Sequence, residues 1–210
     1  MSYLFELIGI IIGDGNIYYN LKSRSYYVEV TGNPLNETEY YSHISWLFLN
    51  IIGKPGRIYL GGRGLRIRIY DKKFVEFLIN DFGMNYSGSK CYSIEIPRRI
   101  IKSTKQEIFC CLRGIFDTDG SFFVSKKGGK LYPSIEIVSC SKKLAMQIRN
   151  LLIEDFRVNF RLKMPRKSNA RLAYVVSLYG LEETRRWFKL IGSSNSAKYE
   201  KYENFIKRFK

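Results

Sequence analysis

Histidine occurs once in these 210 residues, at His43. A single histidine excludes a His-rich metal centre and argues against a Ser-His-Asp triad. Its setting, "NETEYYSHISWLFLN", gives it a structural role. Cysteine occurs four times (Cys91, Cys110, Cys111, Cys140) but never as CxxC, so buried free thiols are expected rather than a zinc site or a disulfide framework. Glutamine is confined to Gln106 and Gln147. No apolar run approaches the roughly 18 residues that a membrane span needs. The N-terminal "MSYLFELIGIII" lacks a basic n-region, carries Glu6 and meets no small-residue cleavage site, which separates it from a signal peptide. These absences leave a soluble intracellular protein, in the cytoplasm of a prokaryote or in an organelle, with no membrane partner.

Acidic residues are also in deficit. There are 35 Lys and Arg against 19 Asp and Glu, a net charge of +16 with a pI near 9.7. Such an excess calls for a polyanionic partner, nucleic acid first and an anionic membrane surface second. Apolar residues make up 45% of the chain, enough to bury a proper core and to exclude disorder.

Two apolar runs end unexpectedly. Leu7 to Gly15 reads "LIGIIIGDG" and Leu112 to Gly120 reads "LRGIFDTDG". A helix carries partial negative charge at its C-terminus, where an aspartate is unfavourable. Asp-Gly could simply be turn chemistry that closes a helix and opens a hairpin. Its recurrence argues otherwise, because the surroundings recur with it. Gly15 and Gly120 are 105 apart, Glu29 of "YVEVTG" and Glu136 of "SIEIVS" are 107 apart, and Tyr70 and Tyr179 are 109 apart. A drifting offset of this kind fits two diverged copies with loop insertions.

Each copy reads helix, strand, strand, helix, strand, strand, helix. In the first, a helix over about Tyr3 to Gly13 precedes "NIYYN" and "SYYVEVT". A second helix is opened by Asn36 with Glu39 three residues on, and "GRIYL", "GLRIRIY" and a helix from Asp71 to about Phe82 complete it. In the second, Thr104 and Glu107 form a capping box for the helix that ends at Asp119. Strands around "SFFVSKK" and "LYPSIEIVS", a helix from about Ser141, strands around "FRLKM" and "LAYVVSL" and a helix from Leu181 follow. The expectation is an α+β chain of residues 1–82, a linker at 83–103 and a second repeat at 104–210 ending in an added helix, with antiparallel sheets covered by helices on one face.

Strand alternation identifies the uncovered faces. Leu65, Ile67 and Ile69 point one way; Arg66, Arg68 and Tyr70 point the other. Tyr27, Glu29 and Thr31, Arg57 and Tyr59, and Arg161 and Lys163 fall in the outward phase of their strands. A basic, aromatic, amide-rich antiparallel ribbon is narrow enough for the roughly 12 Å major groove, where Arg reads guanine edges and phosphate contacts set the register.

Gly9 and Gly13 lie four apart on one helical face, and Gly114 and Thr118 take the same places in the second copy. Small residues at that spacing let two helices approach closely. If they do, Asp14 and Asp119 emerge together at two negative helix ends, and a cation between them relieves the repulsion. Oxygen ligands suit Mg²⁺, Mn²⁺ or Ca²⁺ rather than zinc.

The two motifs and nearly the whole chain, including "KCYSIEIP" and "IGSSNSAKYEKYE", resemble the LAGLIDADG homing endonucleases of the single-chain, two-motif type. The resemblance implies a pseudo-twofold duplicated αββαββα fold, motif helices packed at the centre, and two saddle-shaped sheets straddling double-stranded DNA. It implies that Asp14 and Asp119 are catalytic and bind divalent ions with the backbone carbonyls of Gly13 and Thr118. Asp117 falls at a variable motif position, opposite Ile12. Mg²⁺ is the expected cofactor, with Mn²⁺ able to substitute and Ca²⁺ bound without efficient cleavage. The implied activity is site-specific double-strand cleavage across the minor groove at a long asymmetric site. The expected DNA-contacting residues are Tyr27, Glu29, Arg57, Tyr59, Arg66, Arg68, Tyr70, Lys126, Glu136, Arg161, Lys163 and Arg171, on a monomer encoded within an intron. Two departures stand out. Gly32 and Cys140 stand near points where the family often places a polar side chain. The basic residue that orders active-site water has Lys72, Lys73, Lys126 and Lys127 as candidates. An intron RNA maturase that does not cut DNA is the alternative, and a transcription regulator of related fold the third. With Met1 just before the first helix, an uncut intein is disfavoured.

Overall fold

A computed structural model describes residues 2–35, 37–62, 64–85, 90–164 and 172–209. The first half runs α1 (Ser2–Gly13), β1 (Gly15–Asn20), β2 (Ser25–Gly32), α2 (Thr38–Ile52), β3 (Arg57–Gly61), β4 (Gly64–Ile69) and α3 (Lys72–Asn80). A 3₁₀ turn (Lys90–Tyr92) and the short α4 (Arg98–Ile101) follow. The second half runs α5 (Lys105–Asp119), β5 (Gly120–Lys127), β6 (Lys130–Ser139), α6 (Lys142–Leu152), β7 (Asn159–Lys163), β8 (Ala173–Tyr179) and α7 (Leu181–Leu190), then α8 (Ser196–Ile206). The chain is therefore the duplicated α+β architecture, with each half in the expected order.

Capping residues fix several of these starts. Asp71 accepts from the Phe74 N–H, Ser141 from the Leu144 N–H, and Thr104 and Glu107 close a reciprocal capping box on α5. Helix α2 departs from expectation. It begins at Thr38 rather than around Asn36, and Asn36 itself lies outside the described residues. The Glu37 carboxylate is occupied elsewhere, accepting from the Asn33 N–H at 2.6 Å.

Each half builds one four-stranded antiparallel sheet, ordered β1-β2-β4-β3 and β5-β6-β8-β7. The same strand order in both sheets is the structural signature of the repeat. Inward residues such as Val28, Val30, Ile67, Ile135 and Ile137 join α1, α5 and the flanking helices in one core. The segment between the halves is packed rather than loose. Ile96 and Ile100 are buried, the Ile96 backbone exchanges two hydrogen bonds with the Gln147 amide, and Ser141 donates to the Ile94 carbonyl at 2.7 Å. Helix α8 covers the second sheet, where Phe188 and Tyr202 stack with ring centres 3.8 Å apart and Phe122 meets Phe205. Among the described residues, no helix is long and apolar enough to cross a membrane. All four cysteines are free thiols.

Candidate active site and nucleic-acid interface

The site begins with the seam between α1 and α5. A Cβ on Gly9 would lie 2.1 Å from the Cys111 carbonyl oxygen, and one on Gly114 would lie 2.2 Å from that of Glu6. Backbone touches backbone here, which only glycine permits. One turn on, a Cβ at Gly13 would strike the Thr118 hydroxyl at 1.9 Å and sit 3.4 Å from Asp119 Oδ2. The small-residue face is thus the helix contact, and it brings the Asp119 carboxylate up to the residue that precedes Asp14.

Both aspartates are exposed at the seam end, flanked by the half-buried Gly13 and Thr118. The Asp14 N–H still donates to Ile10 (3.1 Å) and its carbonyl accepts from the Thr31 N–H (3.2 Å), which ties the end of α1 to β2. The chain turns at once from helix into strand after each aspartate. A Cβ on Gly15 would lie 2.4 Å from Ile11 Cα, and one on Gly120 would lie 2.3 Å from the Phe116 ring. The glycine of each Asp-Gly therefore serves the helix-to-strand turn, and the aspartate is what that turn presents. Thr118 is held by hydrogen bonds from its hydroxyl to the Gly114 and Ile115 carbonyls, both 3.0 Å.

Beneath the aspartates lies a residue that sequence reading missed. The Lys198 ammonium, from α8, donates to the carbonyls of Phe116 (2.7 Å), Asp117 (2.9 Å) and Gly120 (2.6 Å). It therefore neutralises the negative end of α5 from below. Burial lowers its pKa, opposed by the charges of Asp117, Glu37, Asp14 and Asp119. Both seam aspartates thus act on one buried ammonium. Lys72 and Lys73, by contrast, lie on α3, where Lys72 pairs with Glu76 at 3.5 Å. The available signal was the Asn195 cap three residues before Lys198 within "IGSSNSAKYEKYE".

Asp117, unlike Asp14 and Asp119, is not exposed at the seam end. It is fully buried, accepting from the Ser193 hydroxyl and from the Ser194 N–H at 2.8 Å, and burial pushes its carboxyl up to about 6. At the mirrored strand end, Gly32 leaves no room for a side chain. A Cβ there would meet Glu37 Oε2 at 2.4 Å and the Tyr41 hydroxyl at 2.5 Å. The Tyr40 and Tyr41 hydroxyls are buried with no hydrogen-bond partner among the described residues. Burial, with nearby carboxylates that include Asp14 in both cases, raises both phenols, so they stay neutral.

No group of three or more His, Cys, Asp or Glu side chains converges among the described residues. The donor set is instead two carboxylates with adjacent backbone carbonyls. That chemistry fits Mg²⁺, which binds through one or two carboxylates and completes its shell with water and substrate phosphate oxygens.

In both sheets the outward-phase residues align in cross-strand rows. Cross-strand register aligns Asn16, Glu29, Arg68 and Arg57 in one row, and Thr31, Arg66 and Tyr59 in the next. In the second sheet the rows are Ser121, Glu136, Ser177 and Asn159, then Val138, Val175 and Arg161. Arg57, Tyr70 and Lys163 are exposed, and Arg161 donates to Glu136 at 3.0 Å. Tyr27 stacks on Tyr18 at 4.8 Å. Lys126 and Lys127 are both exposed at the end of β5, Lys126 in the phase of Phe122 and Val124. Arg171 lies outside the described residues.

Residues 106–192 match the model of the LAGLIDADG-like domain. The chain superposes on I-DmoI in complex with DNA and Mn with a TM-score of 0.65 at 21% identity, over 92% of this chain and 97% of that one. This is a two-motif LAGLIDADG fold. The LAGLIDADG likeness extends to the homing endonuclease I-WcaI bound to its DNA recognition sequence, with a TM-score of 0.62 at 18% identity over 94% of this chain and 84% of that one. In sequence, the chain is 29% identical over 107 residues to the replicative DNA helicase DnaB of Rhodothermus marinus, covering 50% of this chain and 11% of the helicase. The curated relatives it matches are far longer, and the chain spans less than a fifth of each.

Proposed function

We propose that this LAGLIDADG protein is a site-specific endonuclease that hydrolyses one phosphodiester on each strand of a long, asymmetric DNA site, using divalent ions. One observation carries the reading: two exposed carboxylates stand at the end of a glycine-packed helix seam, between two sheets that turn basic and aromatic faces outward. I-DmoI, of the same fold, in complex with DNA and Mn, Mg or Ca, supports it.

Asp14 and Asp119, with the Gly13 and Thr118 carbonyls, would hold Mg²⁺ or Mn²⁺. A bound ion of this kind lowers the pKa of attacking water and stabilises the leaving 3′ oxygen. The chain's own part is positioning. The seam fixes the two carboxylates relative to each other, so each reaches a different strand. Lys198 holds the α5 terminus, and with it the direction of Asp119. The sheets set the register through phosphate contacts and read base edges. The protein acts as a monomer, because both halves of the site lie on one chain.

The test is plasmid cleavage in Mg²⁺ across a library of candidate sites, including uninterrupted versions of the sequence at which the gene resides. Linear product at one site is expected. Asp14→Asn and Asp119→Asn should each abolish double-strand cutting while binding in Ca²⁺ persists. Intact DNA across the library would overturn the reading, and RNA-stimulated splicing without DNA cleavage would establish a maturase instead.

A further inference from the structure

Glu29 is an acidic residue at the centre of a face meant for a polyanion, and it is 7% exposed. Three side chains close over it. Arg68 donates through Nε at 2.7 Å and through Nη2, Arg66 donates through Nη1 at 3.1 Å, and the Tyr59 hydroxyl donates as well. The Arg68 guanidinium lies 4.2 Å over the Tyr27 ring, and its Nη1 donates to the Tyr70 hydroxyl at 2.8 Å. Arg66 is fixed again by its Nε on the Gly61 carbonyl. Burial alone would raise the Glu29 pKa. Hydrogen bonds from Tyr59 and Arg68, and the charges of Arg68 and Arg66, more than offset it and hold the carboxyl below its usual range. Arg57, Tyr59, Arg66, Arg68 and Tyr70 line a recess of about 340 Å³ on the open face.

Among the described residues, the second sheet lacks this construction. Glu136 occupies the place of Glu29, but the register puts Ser177 where Arg68 stands, Val175 where Arg66 stands and Asn159 where Arg57 stands. Ser177 and Val175 are both buried. Arg161 at 3.0 Å and the Tyr179 hydroxyl at 3.4 Å remain beside Glu136. The two faces share one geometry and differ in their donors.

We propose that Glu29 is a positioning residue for base recognition: it locks Arg66 and Arg68 into a rigid donor array that makes the half-site under the N-terminal sheet demand guanine, a demand the C-terminal sheet does not share. This rests on the DNA-binding reading above and refines it. Guanine offers two acceptors, O6 and N7, to a guanidinium fork in the major groove, whereas adenine turns a donor toward it. A fork already held by a carboxylate and two tyrosine rings loses little freedom on binding and cannot swing to suit the wrong base. A floppy arginine would settle on phosphate, which carries no sequence information.

The experiment is selection of bound duplexes from a randomised DNA library in Ca²⁺, for the native protein and for variants checked by thermal unfolding. Arg68→Ala and Arg161→Ala mark which half-site each sheet covers. The native protein should enrich guanine in the half marked by Arg68. Glu29→Gln should lower discrimination there by on the order of tenfold, leave the other half unchanged, and raise affinity for unrelated DNA because one negative charge is gone. Arg68→Lys keeps the charge and should lose the same discrimination while retaining affinity. A merely structural Glu29 would weaken all DNA and blur both halves equally, which overturns the proposal. So would unchanged base preference in Glu29→Gln, or an Arg68 half-site without guanine. Retention of no DNA by the native protein would overturn the DNA-binding reading as well, which separates the two failures.

Discussion

Lys198 Nζ lies 2.7 Å from the Phe116 carbonyl oxygen, the first of three acceptors it satisfies at the end of α5. The last carbonyls of a helix have no partner within it. Here they lie beneath α8, where Lys198 adds its charge to the Gly120 N–H on the Phe116 carbonyl and to the Asn195 amide on that of Asp117. Lys198→Met keeps the length and removes the donors. It should cost about 2–4 kcal/mol, because three buried acceptors lose a charged donor and Asp117 loses a nearby cation. For a chain of this size that is a fall in Tm of roughly 5–12 °C, measurable by differential scanning calorimetry. An unchanged Tm would mean that the ammonium does not sit where it is described.

The repeat and the seam were legible because both rest on short-range rules. Gly9, Gly13, Gly114 and Thr118 share helical faces by spacing alone, and strand alternation placed Arg66 and Arg68 outward. Contacts between distant segments were not legible. Lys198 reaches Phe116 across 82 residues, and its helix gives no pattern that distinguishes a buried lysine from a solvated one. Glu29 and its arginines were each assigned outward, correctly by phase, yet alternation cannot show that they bond to one another. At the end of β5 alternation distinguishes little, since Lys126 and Lys127 are exposed in either phase.

Asp117 makes a contribution to the pH response whose sign follows from its burial. Its folded pKa, pushed up to about 6 by burial, lies above the ordinary carboxylate value near 3.8. The folded state therefore binds this proton more tightly than the unfolded chain. The associated stability is fully present below about pH 4 and is lost as pH rises through 6. Asp117→Asn removes the titration. The stability of this variant relative to the native protein should therefore rise between pH 4 and pH 7, by on the order of 2–3 kcal/mol. Chemical denaturation at several pH values measures the difference, and a difference flat with pH would contradict the assignment.

The seam should be the least tolerant place in the molecule. Gly9→Ala adds one methyl group, which on an exposed helix would raise stability through better helix propensity. At the seam that methyl would lie 2.1 Å from the Cys111 carbonyl oxygen and 3.1 Å from Gly114 Cα, so backbone rather than a flexible side chain must move. Overpacking of this kind costs about 1–3 kcal/mol and here falls at the upper end, because two helices have to separate. Separation also moves Asp14 away from Asp119, one turn beyond. Gly9→Ala is therefore expected to lower Tm by roughly 5–10 °C and to reduce metal-dependent cleavage more than DNA binding, since the sheets keep their faces. Binding by gel shift in Ca²⁺ and cleavage in Mg²⁺ on the same preparation separate the two effects. Equal losses in both would indicate general unfolding instead of a displaced carboxylate pair.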